Sequence, residues 1–201
     1  MRVHQEDCCQ SLGRMPDGKY QNEGGPTAAE IFALIRDNSS RSLEDAESFL
    51  NALIFNWLIG GTDAHSKNYG FLLSGGGRVR LAPLYDLSSC LLYPREIPLM
   101  KAKLSMKIGG QYRLHRIGPH EWEKGAKEWH LSRDLVFDRI IAMAEAVENA
   151  ATEIDPNVST NAGRQVMTRL ADAIADRVHG CLSEFSDQEG VVVGDAVIPL
   201  G

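Results

Sequence analysis

The chain has 201 residues, which is enough for one domain with a full hydrophobic core or for a large piece of a bigger protein. Its net charge of −6 excludes a generally basic surface for nucleic acid, so we expect no direct nucleic-acid binding. The N-terminus has no apolar signal sequence and the longest apolar run is too short to span a bilayer, so we expect a soluble, cytoplasmic protein without membrane attachment.

Four cysteines occur without the paired spacing of a zinc site or the density of a disulfide framework: Cys8, Cys9, Cys90 and Cys181. This usage favours reduced thiols. His4 together with the first two cysteines could imitate a metal cluster. Adjacent cysteines point apart on a helix, however, and no second pair follows.

The first long helix is predicted to begin just after residue 27. Residues 1–10 are polar and compatible with a helix, and residues 13–26 form a loop rich in Gly and Pro. Thr27 can cap the helix that follows. Glu30, three residues later, would complete a capping box.

The next helix is the clearest element in the sequence. Ser42 is its candidate N-cap, and apolar residues then recur at helical spacing: Ala46, Phe49, Leu50, Leu53, Ile54, Trp57 and Leu58. Gly60 and Gly61 end the helix, because glycine adopts left-handed dihedrals at little steric cost. We therefore expect a buried core helix that stops at this Gly pair.

A crowded polar stretch, "TDAHSKN" at 62–68, follows directly. Two short apolar runs, "YGFLL" and "VRLAPLY", then lie on either side of a Gly-rich turn and predict a β-hairpin. Because a hairpin folds back on itself, it can return Asp86 to the neighbourhood of Asp63 and Asn68.

The remainder is predicted to be mostly helical. Residues 101–113 indicate an extended or hairpin segment that turns at a Gly pair. Three helices are then expected, one opening at Pro119, one over about 132–151 and one over about 161–185. The predicted fold class is mainly α with small β-hairpins. The predicted organisation is one unit at 1–185 and a loose C-terminal tail at 186–201.

The polar residues on either side of the hairpin offer two carboxylates and one amide oxygen, from Asp63, Asp86 and Asn68. Such hard oxygen ligands suit Mg²⁺, which keeps several waters and takes one or two carboxylates plus substrate phosphates. Phosphoryl transfer needs the same parts, namely a base for the attacking hydroxyl and an amide and a carboxylate for the metal. The simpler alternative is that these residues only form turns, and that His65 and Lys67 are loop scaffolding or solvated charge.

Five separated stretches resemble, in the right order, the C-terminal lobe of the HipA family: "HQEDCCQSLG", "KYQNEGGP", "NWLIGGTDAHSKNYGFLL", "RLAPLYDLSS" and "LSMKIGGQYR". That family consists of serine/threonine kinases with a protein-kinase-like fold, which act as toxins in bacterial toxin–antitoxin pairs. The resemblance covers residues 1 to about 185. It rests on the agreement of several motifs, since DxHxxN alone would be weak.

The resemblance implies that Asp63 is the catalytic base, that Asn68 and Asp86 hold Mg²⁺, and that His65 and Lys67 support them. Asp86 would stand for the Asp of the kinase D-F-G motif, although the two residues after it depart from that motif. The resemblance also implies ATP as donor, a protein Ser or Thr as acceptor, and a HipB-like DNA-binding antitoxin as partner.

The phosphate-binding half of such a kinase is not recognisable in the sequence. In the family, a Gly-rich loop, a strand Lys and the adenine hinge precede the "QED" stretch, which here occupies residues 5–7. The "SGGG" stretch at 74–77 lies in the hairpin turn and has no following helix or Lys. We therefore expect a C-lobe alone, with weak or no kinase activity unless a separate N-lobe chain supplies the missing half.

Two other functions are consistent with parts of the pattern. A non-catalytic interaction module would bind an antitoxin or an N-lobe chain without any turnover. A metal-dependent phosphohydrolase using Asp63, His65 and Asp86 would need further His or Asp ligands, and the other histidines are in no such arrangement.

Overall fold

A computed structural model describes residues 3–153 and 160–186. In this part of the chain, six helices are accompanied by two small antiparallel sheets. The helices are α1 (Cys8–Ser11), α2 (Ala28–Asn38), α3 (Ser42–Ile59), α4 (Pro119–Trp129), α5 (Arg133–Ala151) and α6 (Asn161–Ser186). The strands are β1 (His4–Asp7), β2 (Gly70–Ser74), β3 (Arg78–Leu81), β4 (Lys103–Ile108) and β5 (Gln111–Arg113). The mainly helical fold with small hairpins is confirmed.

The capping box at the start of α2 is confirmed in both directions. The Thr27 hydroxyl accepts a hydrogen bond from the Glu30 amide at 3.1 Å, and the Glu30 carboxylate accepts one from the Thr27 amide at 2.8 Å. Two of the unpaired amides at this helix start are thereby satisfied.

Helix α3 is the buried helix that the apolar pattern predicts, and Gly60 ends it in the left-handed region with φ of 70°. The predicted cap, Ser42, is wrong by one position, because Arg41 is the N-cap and makes no side-chain cap hydrogen bond. Ser39 closes this turn instead. Its hydroxyl accepts from the Arg41 amide at 3.0 Å and donates to Asp45 at 2.6 Å.

The three-stranded sheet has the order β1-β2-β3, and both strand pairs are antiparallel. The β2–β3 hairpin matches the sequence prediction, with Phe71 opposite Leu81. The polar sequence of residues 1–10 is compatible with a helix, but the structure places strand β1 there. Only Cys8–Ser11 are helical there, behind an Asp7 cap, because His4–Asp7 pair along β2 instead.

Strands β4 and β5 form the second hairpin, which turns at Gly109 and Gly110 as predicted. The turn packs against the backbone of α4, since a Cβ on Gly109 would lie 2.1 Å from the Glu121 carbonyl oxygen. Helix α4 opens at Pro119, and α5 begins behind a Ser132 cap. Both match the sequence prediction.

The core lies where α3 meets α2, α4, α5 and α6, and tryptophan rings occupy its centre. Trp57 and Trp122 contact edge to face with ring centroids 5.4 Å apart, and Trp122 contacts Trp129 at 6.0 Å. All three are at most 3% exposed. All three therefore belong to the hydrophobic core.

Helix α6 ends at Ser186, and the tail predicted for 186–201 lies otherwise outside the described residues. The four cysteines are all buried, free thiols. Within the two described ranges, no helix combines the length and the apolar character needed to cross a membrane.

Candidate active site

The polar loop that follows α3 is a compact turn closed by its own hydrogen bonds. The Asp63 carbonyl oxygen accepts from the His65 amide at 2.8 Å and from the Asn68 side-chain nitrogen at 3.1 Å. His65 and Asn68 are 5% and 6% exposed, whereas Asp63 is exposed. The loop therefore buries its imidazole and its amide and presents one carboxylate outward.

Neighbouring segments hold this loop from two sides. The Ser66 hydroxyl donates to the Lys19 carbonyl oxygen at 2.8 Å, which fastens the loop to the Gly-rich segment before α2. The Ser105 hydroxyl of β4 donates to the Thr62 carbonyl oxygen at 2.7 Å. Both contacts satisfy backbone carbonyls that would otherwise depend on solvent.

Within residues 3–153 and 160–186, the Asp63 carboxylate has one hydrogen-bond partner, the phenol of Tyr20, which donates to Oδ1 at 2.7 Å. That hydrogen bond, together with burial and the charges of Asp63 and Glu23, raises the pKa of Tyr20 to about 12. Tyr20 is therefore a proton donor to Asp63 throughout the neutral range. The sequence contains no local signal for this contact, because the two residues are 43 positions apart.

Asp86 lies at the exit of β3, in exposed chain and with a positive φ of 57°. The residue before it, Tyr85, donates its hydroxyl to the Lys67 carbonyl oxygen at 2.6 Å. Because Lys67 directly precedes Asn68, this hydrogen bond joins the chain beside Asp86 to the chain beside Asn68. The hairpin thus returns to the polar loop as its sequence predicts.

The pKa of His65 is influenced by burial and by three charged residues of the site. Burial lowers its pKa most and the positive charge of Lys19 lowers it further, while the carboxylates of Asp63 and Asp86 act in the opposite direction. The net shift is downward, so the imidazole is neutral at physiological pH. Its Nδ1 is buried and has no hydrogen-bond partner within the described part of the chain.

Lys67 takes part through its backbone, by the carbonyl that Tyr85 binds. Its side chain is partly exposed. The Lys67 backbone therefore helps to hold the loop in place. A chemical role for the Lys67 side chain stays a prediction.

The donor chemistry of the site fits a hard divalent cation. The side-chain nitrogen of Asn68 donates a hydrogen bond to the Asp63 carbonyl oxygen, so Oδ1 of Asn68 is the atom left to act as a metal ligand. Asp86 adds an exposed carboxylate. One amide oxygen and one or two carboxylates suit Mg²⁺, which retains several waters. Among residues 3–153 and 160–186, no group of three or more His, Cys, Asp or Glu could hold a metal, so a His-rich or Cys-rich site does not form there.

The family model of the HipA-like C-terminal domain matches residues 1–154 of the chain. Among curated proteins, the chain is 37% identical over 179 residues to the protein named "Putative kinase Y4mE" of Sinorhizobium fredii. The aligned residues cover 88% of this chain and 41% of that protein. It is 25% identical over 165 residues to the serine/threonine-protein kinase toxin HipA of Shewanella oneidensis, covering 77% of this chain and 37% of the toxin.

Among solved structures, the chain matches one from the Shewanella oneidensis complex of HipA, HipB and operator DNA. The TM-score is 0.83 at 22% identity, over 96% of this chain and 47% of that one. The likeness to this structure shows the fold. In each of these comparisons the chain spans less than half the length of its relative.

Proposed function

The chain belongs to the family of HipA-like C-terminal domains, and on that basis we propose that it is the catalytic-loop lobe of a serine/threonine protein kinase toxin. The proposed reaction transfers the γ-phosphoryl group of ATP to a Ser or Thr hydroxyl of a protein. The observation that carries the proposal is the hydrogen bond from Tyr85 to the Lys67 carbonyl. It fastens the segment bearing Asp86 to the loop bearing Asp63 and Asn68.

In the proposed mechanism the exposed carboxylate of Asp63 orients the substrate hydroxyl and accepts its proton. Asn68 and Asp86 would hold Mg²⁺, which when bound neutralises charge on the phosphate oxygens. The neutral imidazole of His65 lies edge to face against the Tyr20 ring and adds no charge to the site. Lys67 lies beside the proposed metal ligand Asn68 and would support the negative charge of the transferred group.

A complementary lobe is part of the proposal, because a kinase needs a Gly-rich phosphate loop and a strand Lys. The Gly75–Gly77 turn does not provide them, since it leads into strand β3 rather than a helix. A Cβ at any of these three glycines would have no atom of the described residues within 4 Å, apart from its chain neighbours. We propose that the rest of a longer protein, or a separate chain, supplies the phosphate loop. A HipB-like antitoxin is the proposed regulatory partner.

The test is phosphoryl transfer from γ-labelled ATP to a protein acceptor, with the chain co-expressed with its complementary lobe. We expect Mg²⁺-dependent transfer that Asp63→Asn lowers by about 10²–10⁴-fold, the usual contribution of a positioned acid or base. The chain alone is expected to transfer weakly or not at all.

The competing function is a non-catalytic module that only binds an antitoxin or the complementary lobe. It predicts a stable complex that transfers no labelled phosphate to protein. The substitution Asp63→Asn would leave the stability of that complex unchanged. That result would overturn the proposed kinase activity.

A further inference from the structure

The backbone of the segment that carries Tyr20 is held in a tight turn by its own hydrogen bonds. The Tyr20 carbonyl oxygen accepts hydrogen bonds from the amides of Glu23 and Gly25, both at 2.9 Å. A Cβ on Gly25 would lie 2.4 Å from the Gly18 carbonyl oxygen, so only glycine permits this close approach. The backbone on either side of Tyr20 therefore has little freedom.

Both sequence neighbours of Tyr20 are fastened to elements that flank the site. The Lys19 carbonyl oxygen accepts from the Ser66 hydroxyl, and the Gln21 side-chain oxygen accepts from the Lys107 amide of β4 at 2.7 Å. Tyr20 thus stands between two anchored residues. Its position relative to the polar loop is set before any substrate arrives.

The Tyr20 side chain then makes a specific contact with the proposed base. Its hydroxyl donates to Asp63 Oδ1 at 2.7 Å, and its ring meets the His65 ring edge to face with centroids 5.2 Å apart. An exposed aspartate on a loop would otherwise turn about its side-chain dihedrals. With Oδ1 engaged, Oδ2 is the oxygen left to accept a proton.

We propose that Tyr20 is a positioning residue for phosphoryl transfer, which locks the Asp63 carboxylate through Oδ1 so that Oδ2 faces the substrate hydroxyl. This inference rests on the proposed kinase function. It adds the requirement that the base be held in one orientation by a donor from a distant segment. Catalytic rates depend steeply on such orientation, since small misplacements of a reacting group are costly.

The first measurement asks whether the hydrogen bond exists in solution, independently of catalysis. The ζ-carbon resonance of Tyr20 is followed in ¹³C-tyrosine-labelled protein between pH 9 and 11 and is assigned by its loss in Tyr20→Phe. The groups facing the phenol are the carboxylates of Asp63 and Glu23 and, over its ring at 5.0 Å, the ammonium of Lys19. We expect little ionisation below pH 11 in the native chain. In Asp63→Asn we expect titration nearer to the ordinary value of about 10.

The second measurement asks whether the contact matters for the reaction. In the transfer assay with the complementary lobe, Tyr20→Phe is expected to lower kcat by about ten- to a hundred-fold with little change in the KM for ATP, because the base is misoriented while nucleotide contacts persist. Tyr93→Phe is the matched control, since it removes the same hydroxyl from a tyrosine that is 55% exposed and is not the phenol that binds Asp63. It should transfer at the native rate.

The two measurements separate the possible failures. If Tyr20 titrates alike in the native chain and in Asp63→Asn, the hydrogen bond is absent and the inference is wrong. If the titration shifts as expected but Tyr20→Phe keeps the native kcat, the contact is only structural and the positioning role is overturned. If the native complex transfers no phosphate, the proposed function fails, and the positioning role with it, whatever the titration shows.

Discussion

Asp63 and Asp45 are both acidic residues near α3, but their surroundings give them different roles. Asp63 is exposed, with one hydrogen-bonded oxygen. Asp45 is 2% exposed, and its carboxylate accepts from the Arg80 guanidinium at 2.9 Å and from the Leu81 amide at 2.8 Å. The first carboxylate is available for chemistry. The second is a structural clamp between α3 and β3.

The Asp45 clamp leads to a prediction about stability. Burial, the largest single influence, raises the pKa of Asp45, but hydrogen bonds from Arg80, Ser39 and Leu81 outweigh it and hold the pKa below its ordinary value. Breaking a buried pair from one side is strongly destabilising. Asp45→Asn should therefore lower the free energy of unfolding at pH 7 by about 2–4 kcal/mol, measured by urea denaturation.

The pH dependence follows from the same shift. Because the folded-state pKa of Asp45 lies below the unfolded one, its stabilisation is complete above about pH 4 and is lost as pH falls through the folded-state value. The difference between the native chain and Asp45→Asn should shrink over that acid range. Glu44→Gln is the control, because Glu44 also contacts Arg80 but is 57% exposed at its side chain. A loss as large as that of Asp45→Asn would contradict the role given to burial.

At the scale of elements, local signals decided which parts of the fold were predictable. The capping box of α2, the Gly60 stop of α3 and the β2–β3 hairpin all depend on residues close in sequence. Strand β1 was missed because its four residues are polar and become a strand only by pairing with β2. Strand pairing of that kind is a tertiary effect that overrides local propensity.

The candidate site divides in the same way. The spacing of Asp63, Asn68 and Asp86 around a hairpin predicted a shared neighbourhood, and the Tyr85–Lys67 hydrogen bond is consistent with it. Tyr20 lies in the stretch "KYQNEGGP", whose residues alone indicate no role for it. Its contact with Asp63 depends on the fold of the Gly-rich loop, and no periodic pattern of apolar residues predicts the conformation of such a loop.

Helix α6 is joined to the C-terminal end of α3 by a contact that the sequence does not signal. The Arg177 guanidinium donates two hydrogen bonds to the Trp57 carbonyl oxygen, at 3.1 and 2.9 Å. This carbonyl is among the last four of α3, where positive charge is favourable. Helix α6 lies beyond residue 154, where the family match ends. It nevertheless supports the helix that leads into the polar loop.

We expect Arg177→Met to lower the free energy of unfolding by about 2 kcal/mol, because hydrogen bonds from a charged donor are lost and a helix end is left unsatisfied. Urea denaturation followed by tryptophan fluorescence measures this change, since Trp57 is the residue contacted. Arg169→Met on the exposed side of the same helix is the control and should be nearly neutral. Equal effects of the two substitutions would show that α6 is not fastened through Arg177.

For the molecule as a whole, the polar loop is fastened to three separate regions of the chain. These are the Gly-rich segment through Ser66 and Lys19, the β3 exit through Lys67 and Tyr85, and β4 through Thr62 and Ser105. Contacts that fix a site before ligand arrives are those that make it precise. Metal binding by the proposed ligands should therefore be observable in this chain alone, although the chain spans less than half the length of these relatives.

Paramagnetic broadening of backbone amide signals by Mn²⁺, used in place of Mg²⁺, tests this most directly because it needs neither nucleotide nor a second lobe. We expect broadening to concentrate at residues 63–69 and 85–88 in the native chain and in the control Asp172→Asn, a substitution of an exposed acid on α6. Asp86→Asn should abolish it. Broadening that falls elsewhere, or that persists unchanged in Asp86→Asn, would show that Asn68 and Asp86 do not share a cation.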